Sequence, residues 1–416
     1  MLIDWGRETC GHLPTAESRE WLCANGIGGY ASGTVAGTLT RRYHGLLVAA
    51  LKPPLGRTLL VAKVDDSAEY AGAERPLFVN RWQDGTVEPH GYRQLERFGL
   101  SGTTPVWTYA CADAVVEKRL WMEHGANTTY VMYRLLRAGG PVTLGLKALV
   151  NYRDHHATTR GNGWLMRVER VAGGLRVVPF DGARPFVLLA EGADVEPAYT
   201  WYRDFLLLRE QERGLDCRED HLYVGTFRAR LQPGTALTLV LSAEAQPSLD
   251  GEAAWLRRRQ HEEELLSRWR RAYQAAVEAP PWIEQLVPAA DQFVVRRPLP
   301  REPDGMSVIA GYPWFGDWGR DTMVSLPGLT LSTGRPEMAR RILTTFARFV
   351  DRGMLPNRFP DSGEAPEYGS VDAALWCFNA TRAYYGATGD DLLLKELFPV
   401  LEEIVQWHRD GTRYGI

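Results

Sequence analysis

Up to about residue 250, the chain shows short apolar or alternating runs that are broken by Gly, Pro and Asp. Each run has the length of one β-strand, and the runs recur at roughly regular spacing, which is typical of an all-β sandwich. We therefore expect an antiparallel β-sandwich domain over residues 1–250. The clearest runs are 45–51, 58–62, 129–134, 142–147, 174–178 and 236–241.

At Gly251 the pattern changes to a helical one. Residues 252–277 are rich in Ala, Leu, Arg, Glu and Gln, and their large apolar side chains recur near helical spacing. Pro280 and Pro281 end this segment. Residues 251–280 are predicted to form an interdomain helix or linker.

Helical periods continue to the last residue, so residues 281–416 are predicted to form a second, helical domain. A shorter helix is expected near 322–331, which makes about five helices. The expected apolar faces are Leu286, Ala290, Phe293 and Val294; Met338, Ile342, Phe346 and Phe349; Val371, Leu375, Phe378, Arg382 and Tyr385; and Leu397, Leu401, Ile404 and His408. The fold class is thus multidomain β plus α.

The amino-acid composition and charge disfavour several classes of protein. The 416 residues are 45% hydrophobic and 24% charged, with a net charge of −3, which gives no electrostatic footprint for nucleic acid or an anionic membrane. Five scattered cysteines without CxxC spacing argue against a disulfide framework and against a zinc site. Without a signal peptide or an apolar run of about 18 residues, a cytoplasmic location without membrane contact is expected.

Residues 311–322 carry the densest chemistry: aromatic residues, three glycines, two aspartates and Arg320. Aromatic faces stack on flat, partly apolar ligands such as sugar rings, and charged groups fix hydroxyls by hydrogen bonds. A Trp-rich turn that fills a core would have the same composition.

A second cluster spans 355–361 and 369–376. Asp372 and Trp376 would share one face at the start of a helix, although Ser370 or Asp372 could instead cap that helix. Glycoside hydrolysis needs two carboxylates, roughly 5–5.5 Å apart for retention and 6.5–9.5 Å for inversion. Asp321 and Asp372 are candidates for that pair, but carboxylates that only bind sugar would look the same.

Three other motifs give weaker evidence of function. Gly26-x-Gly28-x-x-Ala31 is a weak dinucleotide fingerprint, because the required strand and helix do not flank it. His155 and His156 would point to opposite faces of a strand, which disfavours a shared metal. The segments 201–205 and 210–220 are interpreted as loops.

Several motifs resemble a known family. Glu20-Trp-Leu with 25–33, Thr40-Arg-Arg-Tyr-His-Gly-Leu-Leu47, Asn151-Tyr-Arg-Asp154 and Glu212-Arg-Gly-Leu-Asp216 are similar to the N-terminal domain of bacterial and archaeal glycogen debranching enzymes. The motifs 311–322 and 370–376 resemble the amylo-α-1,6-glucosidase domain of those enzymes. The similarity covers essentially the whole chain.

The resemblance implies a β-sandwich followed by an (α/α)6 toroid, and inverting hydrolysis of α-1,6-linked glucose without a metal or organic cofactor. Glycogen, limit dextrin or another branched α-glucan would be the substrate. Arg320 and Asp321 would hold hydroxyls of the terminal glucose. The other implied pocket residues are Trp314, Trp318, Asn357, Arg358, Asp372 and Trp376.

The resemblance also implies an incomplete toroid, because about five helices replace the expected twelve. The family's general acid and base would lie beyond residue 416, so the catalytic residues stay unknown and the missing C-terminal part of the toroid would be a partner. Two alternatives remain. One is a non-catalytic α-glucan-binding fragment, and the other is a glucoamylase-like or trehalase-like hydrolase that uses Asp321 and Asp372.

Overall fold

The computed structural model describes residues 3–300, 302–360 and 365–415, so Asp361 of the second cluster lies outside the described residues. The described chain folds into two compact units. We call residues 3–25, 29–49 and 58–259 the sandwich unit, and residues 26–28, 50–57 and 260–415 the helical unit.

The strands β1 to β19 come first along the chain, with three short helices among them. The strands are β1 Asp4–Trp5, β2 Glu20–Ala24, β3 Tyr30–Thr34, β4 Gly45–Lys52, β5 Leu55–Tyr70, β6 Ala73–Pro76, β7 Val79–Arg81, β8 Val87–His90, β9 Leu95–Ser101, β10 Thr104–Cys111, β11 Ala114–Met122, β12 Thr128–Arg137, β13 Val142–Asp154, β14 Arg167–Val171, β15 Gly174–Val178, β16 Phe186–Leu189, β17 Asp194–Leu206, β18 Arg218–Leu231 and β19 Ala236–Ser242. The helices are α1 Arg7–Cys10, α2 Leu13–Ser18 and α3 Leu208–Glu212.

Two mostly antiparallel sheets make up the sandwich unit. One has the order β1-β9-β10-β11-β12-β19-β16-β15-β14, and the other has the order β17-β18-β13-β5-β4-β3-β2 with β6 added beside β5. Their inner faces meet: Trp21 of β2 packs edge-on against Trp107 of β10, with ring centroids 5.4 Å apart. All six runs that the sequence singled out lie within strands, so that prediction is confirmed.

The alternation of the sequence reappears as burial. Along β11, Val116 and Leu120 are buried, while Glu117 and Arg119 between them are only partly buried. The inner layer also contains charge. Lys118 Nζ lies 2.7 Å from Asp66 Oδ2, which also accepts a hydrogen bond from the Tyr133 hydroxyl. Burial and the Asp66 charge raise the pKa of Tyr133, which keeps the phenol protonated as the donor.

Two sequence interpretations of the sandwich unit are wrong. Residues 201–205 belong to strand β17 and not to a loop, and 210–220 includes the end of α3 and the start of β18. His155 and His156 lie in the turn after β13, and their ring centroids are only 3.9 Å apart. The reason is that β13 ends at Asp154, so the strand rule of opposite faces does not apply to the two rings.

The remaining elements begin with the long helix α4 Gly251–Ala272, inside which the boundary between the units falls. They continue with α5 Pro281–Asp291, β20 Val294–Arg296, β21 Met306–Gly311, β22 Phe315–Asp317, α6 Gly319–Leu329, α7 Pro336–Ala347, α8 Asp372–Thr388 and α9 Asp391–Asp410. Strands β20, β21 and β22 form an antiparallel sheet that the sequence interpretation missed.

One hydrophobic core joins β20, β21 and α6 to α9. It contains Ile342, Phe346, Leu397 and Ile404, as the helical pattern predicts. Two predicted faces are wrong. Val294 lies in β20 beyond α5, and α8 buries Ala373, Cys377, Ala380 and Tyr384 while Leu375 is 50% exposed. Small side chains let α8 approach its neighbours closely, so its apolar pattern does not show which face is buried.

Among the described residues, the structure contains no helix that is both long and apolar enough to cross a membrane.

Candidate active site

The 311–322 motif folds as the end of a hairpin followed by the start of a helix. Strands β21 and β22 pair with Ile309 opposite Asp317 and Gly311 opposite Phe315. The turn between them contains Tyr312, which is buried, and Trp314, which is partly buried. Burial raises the pKa of Tyr312, so its hydroxyl stays protonated. The chain then leaves β22 directly into α6.

The start of α6 is pressed against the 355–360 segment. The Gly319 backbone N–H donates to the Asn357 carbonyl at 3.0 Å, and Trp318 pairs with Arg358 as an isolated β-bridge. A Cβ atom at position 319 would lie 1.9 Å from the Pro356 carbonyl oxygen, so only glycine fits there. Gly319 therefore sets how closely the two motif segments approach each other.

Gly319→Ala is expected to destabilise the helical unit by about 1–3 kcal/mol, because the new methyl group must push the two segments apart. Gly328→Ala in the same helix is the matched control, since no atom lies within 4 Å of its Cβ position. That control is expected to be neutral or stabilising by up to about 1 kcal/mol. Urea unfolding measures both, and equal stabilities of the two variants would contradict the account.

Arg320 is placed between the two aspartates that the sequence nominated. Its Nε lies 3.9 Å from Asp321 Oδ2, and its Nη1 lies 3.8 Å from Asp372 Oδ2. These distances allow ion pairing but exceed hydrogen-bond length. All three side chains are between 40% and 48% exposed, so ligand atoms can reach them. The structure thus brings residues 51 positions apart in sequence to one guanidinium.

Two acceptor atoms at this place have no hydrogen-bond partner among the described residues. They are Asp321 Oδ2 and Asn357 Oδ1, and almost no solvent reaches either atom. Buried polar atoms in native proteins are nearly always paired, so unsatisfied acceptors need an explanation such as an absent ligand. Both atoms are closed to solvent in this arrangement, so a sugar hydroxyl can donate to them only after the side chains move.

Asp372 is the first residue of α8 and accepts a hydrogen bond from the Ser370 hydroxyl. Val371 occupies the N-cap position of α8, and no side chain caps the helix. The alternative that Ser370 or Asp372 serves as the helix cap is therefore wrong. Trp376 lies one turn further along α8 and is 39% exposed. The carboxylate and the indole thus share one accessible face of the helix.

Arg358 is committed to another contact. Its Nε and Nη2 form a two-point ion pair with Glu367, at 3.1 and 2.7 Å, and the two backbones are also hydrogen bonded. Arg358 therefore holds the ends of the 358–367 segment together. Trp318, the β-bridge partner of Arg358, packs edge-on against Phe315, which is 47% exposed, with ring centroids 5.5 Å apart.

Arg320 and Asp321 also border an open groove with a volume of about 380 Å³. Its other walls are mainly apolar and come from β21, α6 and Phe293. Val324 on α6 is 48% exposed in this groove. Arg320 and Asp321 thus lie at the rim of an apolar surface, where water screens their electrostatic interactions less than on a fully polar surface.

A buried ion pair fixes the base of the site. The Arg297 guanidinium bonds to Asp317, which is fully buried and lies just before Trp318. The same guanidinium lies over the Phe359 ring at 3.8 Å, and the Phe359 N–H donates to the Asp317 carbonyl at 3.4 Å. Burial lowers the pKa of Arg297, against the opposing effect of Asp317. Arg297 thereby connects both motif segments.

Sequence reasoning missed Arg297, Phe315 and Glu367. Arg297 lies outside both motifs, and only the fold brings it to Asp317. Phe315 stands inside the first motif, and its neighbours were the signal that could have identified it. Glu367 follows a segment without a helical or strand pattern, and only its opposite charge to Arg358 hinted at a contact.

Both parts of the chain match known protein families. Residues 19–238 match the family profile described as "Glycogen debranching enzyme N terminal", and residues 288–416 match "Amylo-alpha-1,6-glucosidase". An 83-residue segment is 37% identical to the glycogen debranching enzyme of Saccharomyces cerevisiae. That segment is 19% of this chain and only 5% of the yeast protein.

Solved structures of glycosidases are similar at low identity. A bacterial glucoamylase in complex with acarbose has a TM-score of 0.47 and 8% identity, covering 94% of this chain and 66% of the glucoamylase. A GH92 α-mannosidase from Bacteroides thetaiotaomicron has a TM-score of 0.27 and 9% identity, covering 92% of this chain and 53% of the mannosidase. The glycogen debranching N-terminal profile alone spans more than half of the sequence. The chain belongs to the glycogen debranching enzyme family.

Proposed function

We propose that this chain is part of a glycoside hydrolase that removes α-1,6-linked glucose at glycogen branch points with inversion. Arg320, Asp321, Asp372 and Asn357 hold the hydroxyls of the terminal glucose, and Trp318 and Trp376 contact its apolar faces. The observation that supports this most is the partly exposed Arg320 guanidinium, which lies 3.9 and 3.8 Å from two partly exposed carboxylates. Trp314 and Arg358 support the pocket from its edges.

In this proposal Asp321 and Asp372 bind sugar and do not perform the hydrolysis. Both lie beside the same guanidinium, an arrangement suited to holding hydroxyl groups by charge-assisted hydrogen bonds. Inverting hydrolysis also needs an acid that protonates the leaving oxygen and a base that takes a proton from water. The proposal assigns neither of those two groups to a residue of this chain.

Incubation with phosphorylase limit dextrin tests the proposal. We expect the purified 416-residue chain to bind the dextrin without releasing glucose, and Asp321→Asn and Asp372→Asn to weaken this binding. Asp304→Asn, at an exposed position before β21, serves as the matched control. Failure of the unmodified chain to bind would contradict the proposal.

Glucose release that either Asp→Asn change abolishes, while binding persists, would favour a glucoamylase-like or trehalase-like hydrolase with Asp321 and Asp372 as its carboxylates. The nucleotide sequence of the gene distinguishes the enzyme from a non-catalytic glucan-binding protein. A reading frame that continues past codon 416 supports the enzyme, and a stop codon there with a stable, soluble product supports the glucan-binding protein.

A further inference from the structure

Two tryptophans lie together on the surface of the sandwich unit, which does not contain Arg320. The ring centroids of Trp164 and Trp201 are 6.0 Å apart, and their planes differ by 35°. Both side chains are half-buried. Beside them Tyr199 is 42% exposed, and Leu165 in the same segment is 78% exposed. We call Trp164, Tyr199 and Trp201 the aromatic surface.

Hydrogen bonds of their polar atoms fix the rings of Trp164 and Tyr199 in place. Trp164 Nε1 donates to the Pro179 carbonyl at 3.1 Å. The Tyr199 hydroxyl donates to the Trp164 carbonyl at 3.0 Å and accepts from the Met166 N–H at 3.1 Å. Because protein atoms satisfy these groups, the rings of Trp164 and Tyr199 keep one orientation while part of each remains accessible. Such preorganisation lowers the entropy cost of binding.

A buried carboxylate joins the two segments that carry the tryptophans. Asp220 is 3% exposed, and it accepts from the Gly161 N–H at 2.8 Å and from the Asp204 N–H at 2.9 Å. A Cβ at Gly161 would lie 2.5 Å from the Trp201 ring, so the backbone rests directly against the indole. Asp204 has a φ of +62°. This left-handed conformation is strained for residues other than glycine, and such strained residues are concentrated at functional sites.

Asp220 is itself held in position by a hydrogen bond from Asn151. Asn151 donates to the Asp220 carbonyl at 3.0 Å and accepts from the Thr159 hydroxyl at 2.8 Å. Asn151 begins one of the N-terminal motifs, and Asp220 is the last residue of the segment 210–220, whose sequence predicts a loop. Neither has a place in the candidate active site. Their contacts instead support the aromatic surface.

We propose that the aromatic surface is a second, non-catalytic binding site for α-1,4-linked glucan chains. Aromatic faces stack on sugar rings, and the exposed side chains of Arg203 and Asn162, 3.5 Å apart, offer hydrogen bonds to hydroxyls. The two indoles are tilted and do not form one flat platform. A chain that curves from residue to residue, as α-1,4-glucan does, fits such a pair better than a straight β-1,4-glucan.

This inference rests on the proposed function, because it assumes an α-glucan substrate. Electrophoresis of the full chain through gels containing glycogen tests it. Trp164→Ala and Trp201→Ala are each expected to weaken glycogen binding about tenfold. Trp201→Phe, which keeps a ring, should recover part of the loss. Leu165→Ala is the matched control, since it removes the most exposed apolar side chain of the segment without removing a ring, and it should leave affinity unchanged.

A measurement on the unmodified chain avoids any dependence on folding of the variants. Maltoheptaose should slow amide hydrogen exchange in residues 161–166 and 196–204, and cellohexaose should not. Absence of that protection, or equal losses for Leu165→Ala and Trp201→Ala, would overturn the second site. If the chain binds glycogen only through Arg320, this inference fails while the proposed function stands. If the unmodified chain binds no glycogen, the proposed function itself fails.

Discussion

Replacing Arg297 by methionine is expected to lower the free energy of unfolding of the helical unit by about 3–5 kcal/mol. The change leaves Asp317 buried with its charge no longer balanced by the guanidinium, and it also removes the cation from the Phe359 ring. An uncompensated buried charge costs far more than the ion pair contributes, because no water replaces the lost partner. The two motif segments would then lose their common attachment.

Urea unfolding, followed by circular dichroism, measures this effect. The matched control is Arg348→Met, which breaks an ion pair with Glu302 at 2.8 Å in the same unit. The Arg348 side chain is 49% exposed, so water replaces its partner and the expected loss is about 0–1 kcal/mol. Similar losses for the two variants would show that the Arg297 pair does not hold the site together.

Replacing Arg320 by alanine is expected to weaken binding of branched α-glucan by about 10- to 100-fold. Hydrogen bonds to charged groups contribute about 1.5–3 kcal/mol, and about 1.4 kcal/mol corresponds to a tenfold change in affinity. The change also leaves Asp321 and Asp372 without the cation between them. Arg320→Lys keeps the charge but not the planar fork, so it should recover only part of the affinity.

Titration calorimetry with limit dextrin measures these affinities. Arg382→Ala on the exposed surface of α8 is the control, and it should bind as the unmodified chain does. Because Arg320 is 48% exposed and its ion pairs with Asp321 and Asp372 are long, its removal should change the unfolding free energy by no more than about 0.5 kcal/mol. Unchanged affinity in a folded Arg320→Ala protein would remove Arg320 from the binding site.

The sequence identifies six strands of the sandwich unit from their apolar or alternating runs, but it interprets the end of β17 as a loop, because residues 201–204 there are exposed or only partly buried. The periods of α7 and α9 also identify their buried residues. Helix α8 resists prediction, since Ala373, Ala374 and Ala380 make its core contacts while Leu375 and Trp376 face outward. The three short strands β20 to β22 contain too few residues to show a period.

For the candidate site, the sequence pattern nominates Arg320, Asp321 and Asp372, and the structure brings them together. It could not identify Arg297, because nothing near residue 297 signals that its charge will be buried against Asp317. The environment of Arg358 was also hidden. Its partner Glu367 lies nine residues away in an irregular segment, where no helical or strand spacing applies.

The most direct test of the central claim is amide hydrogen exchange of the unmodified chain with and without panose, a trisaccharide whose terminal glucose is α-1,6-linked. If Arg320, Asp321, Asn357 and Asp372 hold that glucose, exchange should slow in residues 314–322, 355–360 and 370–376. Protection should also disappear in Arg320→Ala. Unchanged exchange in these three segments at saturating panose would contradict the account.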